Sequence, residues 1–211
     1  MIILGLTGGI ASGKTTSANI MKEQGAIIID TDIIAHSVIE YKKPAWYKII
    51  NYFGNTILNN DNTINRLKLG EIVFNNKDKL NELNKIVHPY VLEEVNLQLK
   101  KLKELEISEK KNYLVVLVIP LLFELKLNNL VNYTLVISCK KEQQLMRLQT
   151  RNNFNKEEAE IRIKNQLPME EKIKLADFVI YNDSNLDNLK YQLTKILKKW
   201  KWDKFDKELN L

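Results

Sequence analysis

A glycine-rich stretch near the start of the chain has the residue types and spacing that bind phosphate. Residues 8–15 read GGIASGKT, a glycine followed by four residues and then Gly-Lys-Thr. Gly8, Gly9 and Gly13 would let the backbone turn tightly and direct N–H groups inward, and the start of a following helix adds positive potential. Lys14 could then reach β- and γ-phosphate oxygens, and the Thr15 hydroxyl could hold Mg2+. The stretch predicts a nucleoside triphosphate site, with a merely structural glycine turn as the alternative.

The residues on both sides of this loop support the prediction. Residues 2–6 form a short apolar run suited to a buried parallel strand, and residues 16–24 predict a helix that Gly25 ends. A strand, a glycine loop and a helix in this order are the context in which the pattern marks a nucleotide site.

Two carboxylates, Asp30 and Asp32, close the second apolar run of the chain. The carboxyl ends of strands in an open parallel sheet face the ligand crevice, so both side chains are expected near the phosphates. One could orient or deprotonate an attacking hydroxyl, and the other could help to hold Mg2+ through water. The alternative is that Asp30 only caps the helix predicted at residues 33–40.

Three arginines, Arg147, Arg151 and Arg162, lie in two helical stretches joined by the polar residues 152–155. Phosphoryl transfer spreads negative charge over the moving group, and a guanidinium fork matches phosphate oxygens. The two stretches therefore suggest a mobile lid whose arginines supply charge when nucleotide is bound. Because Arg147 and Arg151 stand at i,i+4 spacing, a solvated helix face is the alternative.

Metal and thiol chemistry find little support in the remaining residues. His36 and His88 have no cysteine or third histidine at metal-ligand spacing, which argues against a zinc site. His88, which precedes Pro89, could line a pocket or cap a helix end. Cys139 is the only cysteine, so we expect a buried thiol at a strand end and a reducing compartment.

Charge and hydropathy constrain the partners only loosely. A net charge of +6 favours an anionic partner without identifying it. The basic and aromatic residues 200–205 could bind single-stranded nucleic acid, but they also fit a terminal helix packed on the sheet, and we expect no nucleic-acid partner. No basic region precedes the first apolar stretch, and the longest apolar run, residues 113–123, is too short to cross a bilayer. We therefore expect a cytoplasmic protein with no membrane partner.

The elements that must position these side chains follow from the hydrophobic pattern. Five apolar runs are rich in Ile, Val and Leu without polar alternation, as expected of parallel strands covered on both faces. They are residues 2–6, 26–29, 113–119, 133–138 and 178–181. Because helical stretches separate them, the sequence predicts an α/β fold, a three-layer sandwich around a five-stranded parallel sheet.

One gap in this rhythm is too long for a crossover helix. Residues 33–112 must hold a helical insertion, whose helices are predicted at 44–53, 66–75, 78–87 and 91–106. We therefore expect a single domain whose core comprises residues 1–32, 113–142 and 167–211, with the insertion at 33–112 and the lid at 143–166.

Taken together, these residues resemble the dephospho-coenzyme A kinase family over about residues 1–200. The similarity includes the opening Gly5-Leu6-Thr7-Gly8-Gly9-Ile10 and the second strand end Ile29-Asp30-Thr31-Asp32-Ile33-Ile34-Ala35-His36. It continues through Arg66, Leu69 to Phe74, Leu83 to Pro89, Pro120-Leu121-Leu122-Phe123-Glu124, Gln144, Arg147, Arg151, Arg162, Gln166, Ala176 to Ile180 and Asn182.

The sequence departs from the family pattern at three places. Ala11 stands where glycine is frequent, and its methyl group is tolerable if the backbone there is not left-handed. Asn152 replaces the usual aspartate after Arg151, which weakens any role for a lid carboxylate. The third strand ends without a Walker-B-type aspartate, so Mg2+ would depend on Thr15, the phosphates, water and the Asp30/Asp32 pair.

The resemblance implies transfer of the γ-phosphoryl group of ATP to the ribose 3′-hydroxyl of dephospho-coenzyme A, the last step of coenzyme A synthesis. Asp32 would orient or deprotonate the hydroxyl, while Lys14 and Arg151 would stabilise developing charge. The implied ATP-binding residues are Gly8, Gly9, Ala11, Ser12, Gly13, Lys14, Thr15, Thr16, Arg147, Arg162 and Asn182, the last near the adenine. The implied acceptor-binding residues are Asp32, Arg66, His88, Pro120 and Leu121, and the implied metal-binding residues are Thr15 and Asp30.

Two other functions remain open at this point. Another small-molecule kinase of the same fold, such as a nucleoside monophosphate kinase, would share the loop and lid but differ in the insertion and at residues 120–124. A basic nucleic-acid-binding module that hydrolyses nucleotide would need base-stacking aromatic side chains, which only the tail offers. We expect a monomer or a weak homo-oligomer.

Overall fold

The computed structural model of the chain describes residues 1–74, 76–152 and 154–208. Five strands form one sheet in the order β2-β3-β1-β4-β5. Their bounds are β1 Ile2–Gly8, β2 Ile27–Asp30, β3 Leu114–Val118, β4 Tyr133–Ser138 and β5 Phe178–Tyr181. The pairs β1–β3, β1–β4 and β4–β5 are parallel. The predicted strands and α/β class are therefore confirmed, and β1 lies at the centre of the sheet and leads directly into the glycine loop.

Nine α-helices are found among the described residues. They are α1 Lys14–Glu23, α2 Thr31–Val38, α3 Pro44–Phe53, α4 Arg66–Phe74, α5 Lys77–Glu109, α6 Lys141–Asn152, α7 Lys156–Lys164, α8 Met169–Leu175 and α9 Leu186–Glu208. No helix in this part of the chain combines the length and apolar character needed to span a membrane.

The chain divides into two compact units, each with its own core. Met1–Ile29 together with Lys111–Leu211 forms one unit, and Asp30–Lys110 forms the other. In the first, strand side chains such as Leu4, Leu6 and Leu135 pack with Met21 of α1 and Leu193 of α9. The core of the second consists of Trp46, Ile49, Ile57, Ile64, Leu69 and Val73. Burial of apolar area is the main force that stabilises each unit.

One predicted helix break is wrong. The sequence predicts separate helices before and after Pro89, whereas α5 continues through this residue. Proline removes one backbone hydrogen bond and costs about 3 kcal/mol in a helix interior. Because α5 packs against α2, α3 and α4, this tertiary packing outweighs the local cost.

Candidate active site

The glycine loop joins β1 to α1 through a backbone that few residue types could adopt. Gly8 and Gly13 have φ angles of 149° and 105°. A Cβ at Gly8 would overlap the carbonyl oxygen of Ile137, and one at Gly13 would overlap the Asn182 amide. Glycine is therefore required at both positions by backbone angle and by space.

Ala11 lies in the left-handed region of backbone conformation. Its φ angle is 58°, so its methyl group stands on a left-handed backbone, where a Cβ costs about 1–2 kcal/mol. The sequence left this backbone angle open, and the structure shows the strained alternative. The surrounding hydrogen bonds must hold Ala11 in this conformation.

Two side chains, from α6 and from the residue after β5, donate hydrogen bonds to carbonyl oxygens of the loop. Arg147 of α6 donates to the carbonyl oxygens of Ala11 and Ser12, at 3.3 and 3.4 Å, and to that of Asn182 at 3.1 Å. The Asn182 amide, just past β5, also donates to the Ser12 carbonyl at 2.8 Å. Arg147 thus fixes the shape of the loop, a contact that the sequence prediction of a phosphate-binding lid arginine did not include.

Lys14 and the two threonines after it stand at the start of α1. The Lys14 ammonium donates to the carbonyl oxygens of Gly8 and Gly9, at 3.1 and 2.8 Å, which keeps it over the loop. Thr15 and Thr16 are exposed there. Exposed N–H groups and positive potential at a helix start favour an anion at this position.

A cavity of about 650 Å³ opens beside the loop. Most of the predicted nucleotide-binding residues line it, namely Ala11, Gly13, Lys14, Thr15, Thr16, Arg147 and Asn182. The predicted catalytic residue Arg151 lines it too. Ser184 and Leu186 complete the side that follows β5. The volume lies within the range of small-molecule sites, and the lining combines apolar surface with cationic groups.

The other two arginines make contacts outside the loop. Arg151 is exposed, and its Nε donates to Oδ1 of the neighbouring Asn152 at 2.8 Å. The guanidinium of Arg162 stacks over the Phe154 ring at 4.2 Å and does not line the cavity.

A buried ion pair that the sequence did not predict lies beneath the segment at residues 120–124. Lys172 of α8 is fully buried, and its ammonium contacts the Glu124 carboxylate at 2.8 Å and the Pro120 carbonyl at 3.1 Å. The Thr7 hydroxyl donates to the same carbonyl at 3.1 Å. These contacts fix the residues after β3 against the end of β1, immediately before the loop.

The predicted residues of the second unit have distinct surroundings. Asp30 caps α2, because its Oδ1 accepts the Asp32 N–H at 2.9 Å. The alternative prediction of a helix cap at Asp30 is therefore confirmed, and a second role for its carboxylate stays a prediction. Asp32 itself is exposed. Nη1 of Arg66 lies 3.1 Å from Nδ1 of His36. Burial lowers the pKa of His88, which favours the neutral ring.

Two further sequence predictions concern a thiol and the tail. Cys139 is buried just after β4, as predicted, and burial raises the pKa of its thiol. A protonated, buried thiol is unreactive. The side chains of residues 200–205 lie outside the described part of the structure, so the predicted role of the tail stays a prediction.

Comparison with known proteins agrees with this geometry. A family model described as dephospho-CoA kinase matches residues 2–188. A dephospho-CoA kinase from Bacillus anthracis is 51% identical over 199 residues, covering 94% of this chain and 97% of the relative.

Solved structures agree as well. The structure of dephospho-CoA kinase from Campylobacter jejuni is 32% identical with a TM-score of 0.68 and covers 93% of this chain and 96% of its own. A Thermus thermophilus crystal structure is 31% identical with a TM-score of 0.74 and covers 94% and 97%. The chain therefore belongs to the dephospho-CoA kinase family, whose members use ATP to phosphorylate dephospho-CoA in the last step of coenzyme A biosynthesis.

Proposed function

We propose that the cavity beside the glycine loop holds ATP and that its γ-phosphoryl group passes to the ribose 3′-hydroxyl of dephospho-CoA. The observation that carries this proposal is the convergence of the loop, Lys14, Arg151 and Asn182 on one cavity of about 650 Å³. The backbone N–H groups of residues 8–16 would bind the phosphates, and Asn182 and Ser184 would border the base.

Lys14 and Arg151 would stabilise the charge that develops during transfer. When ATP binds, the Lys14 ammonium would exchange its hydrogen bonds to the Gly8 and Gly9 carbonyl oxygens for contacts with phosphate oxygens. Arg151 lines the cavity from an exposed position, where its fork can turn to a phosphate group. Arg147 would act mainly by holding the loop, and Arg162 would approach the nucleotide only if the proposed lid at residues 143–166 closes.

Asp32 is proposed as the group that orients the ribose hydroxyl and accepts its proton. An exposed carboxylate at a helix start can do both without a large change in its surroundings. Arg66, His88, Pro120 and Leu121 are proposed to contact the acceptor. The neutral His88 ring could accept a hydrogen bond from it, while Arg66 could pair with its phosphates.

The residues present fit Mg2+ bound mainly through the nucleotide. No group of three or more His, Cys, Asp or Glu side chains among the described residues could hold a metal by itself. The Thr15 hydroxyl is exposed at the loop, and the Asp30 carboxylate could accept hydrogen bonds from metal-bound water. When bound, the ion would neutralise charge on the β- and γ-phosphates.

The experiment is a phosphorylation assay with a panel of acceptors. Purified protein with ATP is offered dephospho-CoA, AMP or single-stranded polynucleotide, across a Mg2+ titration, and products are resolved by mass and by the position of the new phosphate. We expect coenzyme A, with the phosphate on the 3′-oxygen, only with dephospho-CoA and Mg2+. Preferential phosphorylation of AMP, or hydrolysis stimulated by polynucleotide, would contradict the proposal.

A further inference from the structure

Two glutamine side chains hold the same residue of the glycine loop. The Gln144 amide donates from Nε2 to the Ile10 carbonyl at 2.8 Å, and Oε1 of Gln166 accepts the Ile10 N–H at 2.8 Å. The backbone N–H and the carbonyl oxygen of Ile10 are thus both hydrogen-bonded to side chains, and Ile10 lies in neither a helix nor a strand. Neither contact belongs to the nucleotide cavity.

The surrounding sequence is built to admit these contacts. Gln144 is 5% exposed, and a Cβ at Gly9 would overlap its Nε2. The missing side chain at Gly9 therefore gives the amide access to the loop. A buried amide that loses its partner carries a full desolvation penalty, so this bond resists displacement.

The two glutamines also mark the two ends of one segment. Gln144 lies in the first turn of α6, and Gln166 follows the end of α7. Any rotation of the α6–α7 pair relative to the sheet must therefore be transmitted to Ile10, in the middle of the loop, or must break one of the two bonds. Arg147, on the same helix as Gln144, contacts the next two residues of the loop.

We propose that Gln144 and Gln166 are positioning residues that keep the loop in its phosphate-binding shape and couple that shape to the α6–α7 pair. They act through Ile10 and do not contact the nucleotide. The proposal rests on the nucleotide site proposed above. It predicts a specific effect on ATP, because the loop binds its phosphates, and little effect on dephospho-CoA.

The polarity of the two bonds makes the test sharp. Position 144 needs a donor, because it faces a carbonyl, whereas position 166 needs an acceptor, because it faces an N–H. Methionine at either position keeps the length and removes both functions. Glutamate supplies an acceptor only, so it suits position 166 and opposes position 144. Gln149 of α6, which is exposed, provides the matched control as Gln149→Met.

The measurement is KM for ATP and for dephospho-CoA, with kcat, for all five variants. We expect Gln144→Met and Gln166→Met to raise KM for ATP about tenfold, the cost of one well-formed hydrogen bond, with KM for dephospho-CoA within about twofold of wild type. The ratio of KM for ATP between the Glu and Met variants should be at least about tenfold higher at position 144 than at 166. The added negative charge meets a buried site at position 144 and a half-buried site at position 166, so the uncharged Met variants test each bond without it.

The outcomes separate this inference from the assigned activity. Met variants that match Gln149→Met, or equal Glu-to-Met ratios at the two positions, would overturn the positioning role while wild-type turnover stands. If the Gln144 variants do not fold, the Gln166 pair decides alone, since equal KM for Gln166→Glu and Gln166→Met contradicts the proposal. Absence of coenzyme A formation by wild type would instead contradict the proposed function.

Discussion

The glycine loop and the candidate acceptor residues differ in how far the folded chain already holds them. Loop carbonyls and N–H groups are bound by Gln144, Arg147, Gln166 and Asn182, from α6, the end of α7 and the end of β5. Asp32 and Arg66 are instead exposed on short helices of the second unit. Folding has already fixed the conformation of the loop, whereas the side chains of Asp32 and Arg66 must still lose conformational entropy when the acceptor binds.

This difference assigns separate tasks to the two regions. A backbone site held by four side chains binds phosphate without rearrangement, so its variants should alter nucleotide affinity and charge stabilisation together. Exposed side chains can be reorganised by the substrate, so their variants should alter turnover with dephospho-CoA and leave ATP binding unchanged.

Among variants of the loop and of α6, Lys14→Ala should have the largest effect on turnover. Its ammonium is the cationic group that the loop itself holds, so its loss should reduce kcat/KM by about 1,000-fold or more. The fold should persist, because Lys14 contacts loop carbonyls and not the apolar core. The measurement is coenzyme A formation by a folded sample, with Lys22→Ala of the same helix as the control. Near-normal turnover of Lys14→Ala would remove the loop from the mechanism.

Lys172→Met should have the largest effect on stability. It keeps the side-chain length but leaves the Glu124 carboxylate, whose side chain is only 19% exposed, without its cation, which costs up to about 3–5 kcal/mol. Lys174→Met is the matched control, because Lys174 pairs with Glu171 at the same 2.8 Å on the exposed face of α8 and should matter little. The measurement is denaturant unfolding of both variants. Equal losses would show that burial does not distinguish the two pairs.

Arg151→Lys should have a smaller effect, confined to turnover. Lysine keeps the charge but loses the planar fork, so kcat should fall about tenfold, while KM for dephospho-CoA changes little. Thr150→Ser, at the neighbouring cavity position, serves as the control. If Arg151→Lys turns over at the wild-type rate, Arg151 belongs to a solvated helix face.

Ala11→Gly should have the smallest effect, and it should raise the stability of the protein slightly. It relieves the strain of a methyl group at a φ of 58°, which outweighs the extra chain entropy of glycine by less than about 1 kcal/mol. The variant should therefore be slightly more stable in denaturant unfolding. Ala35→Gly in α2 should lose stability by a similar amount, as glycine does in a helix. Destabilisation of both would mean that Ala11 is not strained.

The sequence was sufficient for the sheet and for the nucleotide loop. Each strand is built mainly from a short apolar run, and the loop pattern needs only local backbone geometry, so both could be predicted from neighbouring residues. The continuity of α5 through Pro89 could not be predicted, because the packing that stabilises this helix involves three other helices.

Long-range polar contacts were the other limit. Lys172 stands among charged residues in the sequence MEEKIKL, where nothing distinguishes it from the exposed Lys174. The bonds from Arg147 to the loop join residues about 135 positions apart. Family resemblance singled out Gln144, Arg147 and Gln166 by order, but only the fold shows which backbone atoms they contact.

The most direct test of the separation between the two regions is Asp32→Asn, measured for turnover and for ATP affinity in the same sample. The change keeps size and most hydrogen bonding and removes the charge that would accept the ribose proton. We predict that turnover with dephospho-CoA falls about 100- to 10,000-fold, the usual value of a positioned base. The dissociation constant for ATP should stay within about twofold of wild type, because one buried hydrogen bond more or less would already exceed that. Asp30→Asn is the control and should act mainly through the Mg2+ requirement. A loss of turnover below about fivefold for Asp32→Asn would contradict the account and transfer the role to Asp30.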